Sequence, residues 1–198
     1  MPDAGLVPDT QELVVRHGAD LVAIAAGSIR RALADPGWRP AAPAAVAAAL
    51  AAPGASFVTL RRDGGLRGCI GSVAAERALA DDVARNAWAA AFADPRFDPL
   101  TASEAPDLAI EVSVLTAPQP FAVADEADLL ARLRPGVDGL ILADRGRRAV
   151  FLPAVWDVLP QAQDFVAHLK AKAGLARDHW SASVTVARFE AFKAIGTA

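Results

Sequence analysis

Hydrophobic positions along the chain change period several times, and each change marks an element. From Gln11 to Ala34, the residues Val14, Leu21, Val22, Ala25, Ile29 and Leu33 recur at helical spacing, with Arg30 and Arg31 beside the stripe. Asp35-Pro36-Gly37 stops that helix. An alanine- and proline-rich connector follows, with a short helix predicted over residues 44–52 and ended by Pro53-Gly54. The period then drops to two. Ser56-Phe57-Val58-Thr59-Leu60 and Leu66 to Gly71 read as the arms of a hairpin around the five residues Arg61 to Gly65. Residues 76–93 return to helix, with Leu79, Val83, Ala87 and Ala90 forming a core stripe.

Pro95 and Pro99 make the next stretch a rigid loop, because each fixes its own φ. Leu108 to Leu115 alternates cleanly, with Ile110, Val112 and Val114 on one face and Glu111 and Ser113 on the other. A short helix is predicted over Asp125 to Arg134. A hairpin of residues 139–143 and 149–152 turns at Asp144-Arg145-Gly146-Arg147. Phe165 to Ala173 reads as a helix closed by Gly174 in a left-handed cap, and Ser183 to Phe189 as a last strand. Residues 1–10 are a polar, proline-bearing lead-in, and residues 11–198 show no repeat or long linker that would divide them.

Composition changes this picture only at its edges. A net charge of −3 makes no electrostatic case for nucleic acid, whose support is limited to the Arg61-Arg62 and Arg145-Gly146-Arg147-Arg148 turns. A single cysteine forms no intrachain disulfide, so nothing here depends on an oxidising compartment. The apolar run from Ala19 to Gly27 contains Asp20, precedes Arg30 and Arg31, and falls short of a bilayer span; the expected location is the cytoplasm.

That cysteine lies in Leu66-Arg67-Gly68-Cys69-Ile70-Gly71-Ser72, the most chemically dense stretch of the chain. Alternation puts Arg67, Cys69 and Gly71 on one strand face. A guanidinium near a thiol favours the thiolate, which is the nucleophile and metal ligand. The opposing reading is a cysteine that only packs. Gly68 and Gly71 weaken a strand and point to a bulge or to another group approaching the backbone. Glu111 faces either water or a site; beside the Cys69 strand it could pair with Arg67. His17, His168 and His179 are scattered. No metal-ligand spacing, phosphate loop, dinucleotide fingerprint or nucleophile elbow occurs, so the pattern names no metal and no cofactor.

The run Leu66 to Ser72 resembles the AMMECR family. So do Phe57-Val58-Thr59-Leu60, Asp94-Pro95-Arg96-Phe97 with Pro99-Leu100, Glu111 to Leu115, Gly136-Val137-Asp138-Gly139, Phe151-Leu152-Pro153 and Lys172-Ala173-Gly174-Leu175. The resemblance as a whole covers roughly residues 12 to 194. The resemblance implies an α+β fold of two unequal, interleaved lobes with antiparallel sheet flanked by helices, and a cleft to which Arg67 to Ser72 contributes. It also implies a bacterial "protein A" that accompanies a Memo-like protein and a radical-SAM protein. On this basis Cys69 and Glu111 are candidate catalytic residues, and Arg67, Gly68, Gly71, Ser72 and Arg96 candidate substrate-binding residues. The other reading is an adaptor that docks one of those partners without chemistry. Two departures stand out: Ala154 follows Phe-Leu-Pro where relatives often carry glutamine, and Phe189 replaces a C-terminal phenol in a chain without tyrosine.

Overall fold

A computed structural model describes residues 9–35 and 37–198. The expected lead-in therefore lies outside the described residues up to position 8. Its last two residues belong to the first helix: Asp9 caps α1 (Thr10–Ala34) by accepting from the Gln11 amide. Among the described residues there are five α-helices and two antiparallel sheets, an α+β fold. They form two compact units: the chain up to Leu115 together with Phe192–Ala198, and Thr116–Ala191. No described helix is long and apolar enough to cross a membrane.

The first unit holds α2 (Ala48–Ala51), β1 (Pro53–Arg62), β2 (Gly65–Gly71), β3 (Arg77–Ala78), α3 (Leu79–Phe92), β4 (Leu108–Leu115) and β9 (Ala191–Thr197). Its sheet runs β2-β1-β4-β9, with β3 paired to the start of β1. α1 packs on α3 and β4, and α3 packs on β1 and β2. Period-two alternation therefore sends Val58, Leu60, Ile110, Val112 and Val114 into one core with Leu21, Ile29, Val83 and Ala87. The other sheet face stays free of these helices.

Residues 77–78, expected as the start of a helix, form β3 instead, and three further elements differ from expectation. The β1–β2 loop is two residues, Asp63-Gly64, rather than five. Both have positive φ (51° and 78°), the geometry of a turn whose twist matches the strands it joins. The helix expected over residues 44–52 is a single turn, Ala48–Ala51, because it begins late, at Ala47, with no side chain to cap its first amides. β9 is a strand that the sequence pattern does not mark. Its inward residues Phe192 and Ala194 are partly buried against the core, whereas Lys193 and Ile195 point outward, so its apolar signal is faint.

The second unit holds β5 (Gln119–Pro120), α4 (Glu126–Arg132), β6 (Gly139–Asp144), β7 (Arg147–Phe151), α5 (Ala162–Lys172) and β8 (Thr185–Phe189), with sheet order β5-β8-β6-β7. Trp156 stacks on Phe165 at 3.9 Å between centroids in its core. Gly174 takes φ +75°, the expected left-handed cap. Buried charges are all answered: Asp138 by Arg134, Lys170 by Glu126, and Asp144 by His179, Ser181 and Ser183. The Asp144 carboxyl is held below the usual range, chiefly by the Ser183 hydroxyl and then by His179.

Candidate functional site

The expected site residues sit on the helix-free face of the first sheet. The antiparallel register sets Thr59 of β1 opposite Cys69 of β2 on one side and opposite Glu111 of β4 on the other. Side chains directly opposite share a face. Thiol, hydroxyl and carboxylate thus form one row across three strands, and β9 extends it: Lys193 Nζ lies 3.1 Å from Glu111 Oε1. Cys69 is half-buried, and its Sγ accepts a hydrogen bond from Thr59 Oγ1 at 3.3 Å. The next row on this face is Gly71, Phe57 and Ser113. Thr59 was not singled out from sequence, since nothing in Phe-Val-Thr-Leu shows what lies beside it.

Arg67 is not the guanidinium of this row. The register slips between Leu60 and Arg61, so that Gly68 pairs with Leu60 and Leu66 with Arg61, leaving Arg67 over as a bulge residue. Its side chain turns to the loop after α3. There Nε donates to Glu104 Oε1 at 2.8 Å, and Nη2 donates to Asp98 O at 2.9 Å and Glu104 Oε2 at 3.2 Å. The expected Arg67–Glu111 pair is corrected accordingly: Glu104 is the partner of Arg67, and Lys193 that of Glu111.

Glu104 also accepts from the Thr101 amide and hydroxyl, and the Arg67 guanidinium first, then Thr101, hold its carboxyl down to about 2. A carboxyl depressed on folding adds stability that is complete above its unfolded pKa and lost as pH falls toward the folded value. Wild-type stability should therefore fall more steeply than that of Glu104→Gln between about pH 5 and pH 2. Urea titrations at a series of pH values check this, and parallel curves would remove the ion pair.

The guanidinium beside Cys69 belongs to Arg96. Asp94-Pro95 ends α3, and the nearly sealed Asp94 carboxylate turns back onto the β2 edge, accepting from the Cys69 amide at 2.9 Å. Arg96 grips the same carboxylate through Nε at 2.9 Å and Nη2 at 2.6 Å, and Nη2 also reaches Cys69 O at 3.2 Å. The Arg96 hydrogen bond, with help from the Cys69 amide, keeps Asp94 well below the usual carboxylate range. Arg96 is raised in turn, by Asp94 foremost and also by charge and hydrogen bonding with the Cys69 side chain. A cation therefore does sit at Cys69, held on its carbonyl and contributed by the loop rather than by the strand.

The glycines and Ser72 have protein partners of their own. A Cβ on Gly68 would meet Ala90 O of α3 at 2.1 Å, and one on Gly71 would meet the Phe57 ring at 2.2 Å. The groups that approach the backbone at both positions are this chain's helix and this chain's phenyl ring, where sequence suggested room for substrate. Ser72 Oγ donates to Asp82 Oδ1 at 2.8 Å. Asp82 is fully buried and also accepts from Ser56 N, Ser56 Oγ, Arg77 and Asn86, tying β1, β3 and α3 to the end of β2. Neither Glu104 nor Asp82 carried a sequence signal beyond being an acidic residue, because their partners are distant in the chain or scattered along it. Among the described residues, no three His, Cys, Asp or Glu side chains gather as metal ligands.

Outside β2, Arg67, Arg96, Phe97, Asp98, Thr101 and Glu104 line a recess of about 470 Å³. The fold and this edge define an α+β protein whose one thiol lies on an open sheet face, clasped by a loop-borne Asp-Arg pair. The AMMECR1 family model matches residues 22–194, and the chain belongs to that family. A protein from Methanothermobacter thermautotrophicus is 41% identical over 141 residues, covering 68% of this chain and 71% of its own length. Protein MJ0810 of Methanocaldococcus jannaschii is 39% identical over 143 residues, covering 68% and 69%. The crystal structure of the uncharacterised protein PH0010 from Pyrococcus horikoshii superposes with a TM-score of 0.80 at 31% identity, covering 90% of each chain.

Proposed function

We propose that the chain is an enzyme that uses Cys69 as a nucleophile, working alongside a Memo-like protein and a radical-SAM protein. The observation that carries this reading is the Thr59 hydroxyl donating to Cys69 Sγ while Arg96 holds the same residue's carbonyl. A hydroxyl donor and a fixed cation are the neighbours that stabilise charge on sulfur. Glu111, next in the row, takes the acid–base role toward a bound substrate, with Lys193 as its counter-charge. Arg67, Gly68, Gly71 and Ser72 support the site by fixing the strand and loop that carry it.

Alkylation of the native protein with iodoacetamide, with the adduct located by mass spectrometry, tests the reading. Cys69 is expected to react in the folded protein, and Thr59→Val to slow the reaction by about fivefold, the loss of one hydrogen bond to the sulfur. A native thiol left unmodified by a treatment that alkylates the whole unfolded population would end the nucleophile reading. Pull-down against the Memo-like and radical-SAM proteins tests the association. Capture of neither by wild-type protein counts against it. A complex that retains full function with Cys69→Ser identifies an adaptor in place of an enzyme.

A further inference from the structure

We infer that the recess outside β2 is a carboxylate subsite, so that the partner of Cys69 is a small electrophile bearing a carboxylate a few bonds from the carbon attacked. The inference rests on the nucleophile reading of Cys69 and adds the class of substrate to it.

Hydrogen-bond donors exceed acceptors at this edge. Glu104 is already shared by Arg67 at 2.8 Å, Arg62 at 3.5 Å and the two Thr101 donors. Even so, Nη1 of Arg67, a residue of the recess lining, is sealed from solvent with no hydrogen-bond acceptor. A buried guanidinium N–H left unmade is costly, so a small turn of the Arg67 guanidinium that brings Nη1 to an oxygen in the recess relieves an existing deficit. Arg96 engages Asp94 and Cys69 O through Nε and Nη2 alone, which leaves Nη1 unengaged among the described residues on a half-exposed side chain. Both guanidiniums border the Phe97 ring, whose centroid is 5.8 Å from Arg67 Cζ and 5.5 Å from Arg96 Cζ, as two arms of one recess.

The same residues select the anion. Asp98 and Glu104 put carboxylates on the lining, so a second negative charge on the ligand is opposed. A planar monoanion suits the place better than a phosphate dianion. Arg96 belongs to both the recess and the thiol, with Nη2 at 3.2 Å from Cys69 O. An anion on its free nitrogen therefore holds the rest of a small molecule beside Cys69, which raises the effective concentration of the electrophile there.

Iodoacetate and iodoacetamide test this directly, since they share the reaction and differ in charge. The thiolate forms a C–S bond at the methylene carbon, the C–I bond breaks, and iodide leaves with the electron pair. The measured quantity is the iodoacetate-to-iodoacetamide rate ratio in native protein, relative to the same ratio for the chain unfolded in urea. The native ratio is expected to be about tenfold higher, the effect of one charge-assisted contact, and Arg96→Gln should return it to the unfolded value. Any change in the thiol itself cancels within the ratio. In wild-type protein, propionate should slow the iodoacetamide reaction at concentrations where inorganic phosphate does not. A native ratio equal to the unfolded one, a preference that survives Arg96→Gln, or equal protection by phosphate would overturn the subsite and leave the nucleophile standing. Failure of both reagents on the native protein overturns the two together.

Discussion

Gly68→Ala should cost the protein about 3 kcal/mol or more, a large part of the stability of an ordinary domain. The added methyl would meet the Ala90 carbonyl oxygen at 2.1 Å and its carbon at 3.0 Å. Both are backbone atoms inside α3, so no rotamer change relieves the clash; the helix must lift from β2, and its buried alanines lift with it. Gly71→Ala is the matched comparison. Its methyl would meet the Phe57 ring, with Cγ at 2.2 Å, on the helix-free face. A phenyl ring can swing aside, and a loss of about 1 kcal/mol is expected there. Urea unfolding of both variants gives the difference. Equal midpoints would mean that α3 is not seated against β2 as described.

Asp82→Asn should be comparably severe, at about 3–5 kcal/mol, although the shape of the side chain hardly changes. Oδ2 receives Ser56 N, Ser56 Oγ and Asn86 Nδ2 at 2.7–2.8 Å, and Oδ1 receives Ser72 Oγ and Arg77 Nη1 at 2.8 Å. An amide answers these donors with one oxygen and sets a donor of its own against the rest, in a place water does not reach. The neighbouring Asp81 accepts from the Ala42 amide at 2.8 Å on a partly buried site, and Asp81→Asn should cost about 1 kcal/mol. Finding the two substitutions equivalent would show that the Asp82 network does not hold this end of the sheet.

The sequence was informative wherever a single period or a single turn decided the outcome. Leu108 to Leu115 is a strand over the range its alternation marks, and Gly174 caps a helix as its position suggests. Placing Cys69 and Glu111 on a common face needed only strand parity and the pairing order that brings β1 between them. The site's charges were less legible. Nothing in Leu66-Arg67-Gly68 announces a register slip, yet that slip takes Arg67 out of the row and hands it to Glu104. The cation that does serve Cys69 comes from Arg96, which reaches it only because Asp94 folds the loop back onto the strand edge. The glycines signalled a close approach, but which group approaches is a property of the packed helix and ring, not of the strand's own residues.

The return of the chain from the second unit to the first has a consequence for biosynthesis. The edge of β4 is complete once Leu115 is made, but the strand that covers it, β9, is made only after the whole second unit has been translated. Thr116–Ala191 is continuous and can gather its own core before β9 has emerged; the first sheet must wait for β9 to follow. Until then β4 presents an open edge, which other nascent chains can pair with. Lys193, arriving with β9, closes that edge and neutralises Glu111 in the same step, so the row that begins at Cys69 becomes whole only when β9 has docked.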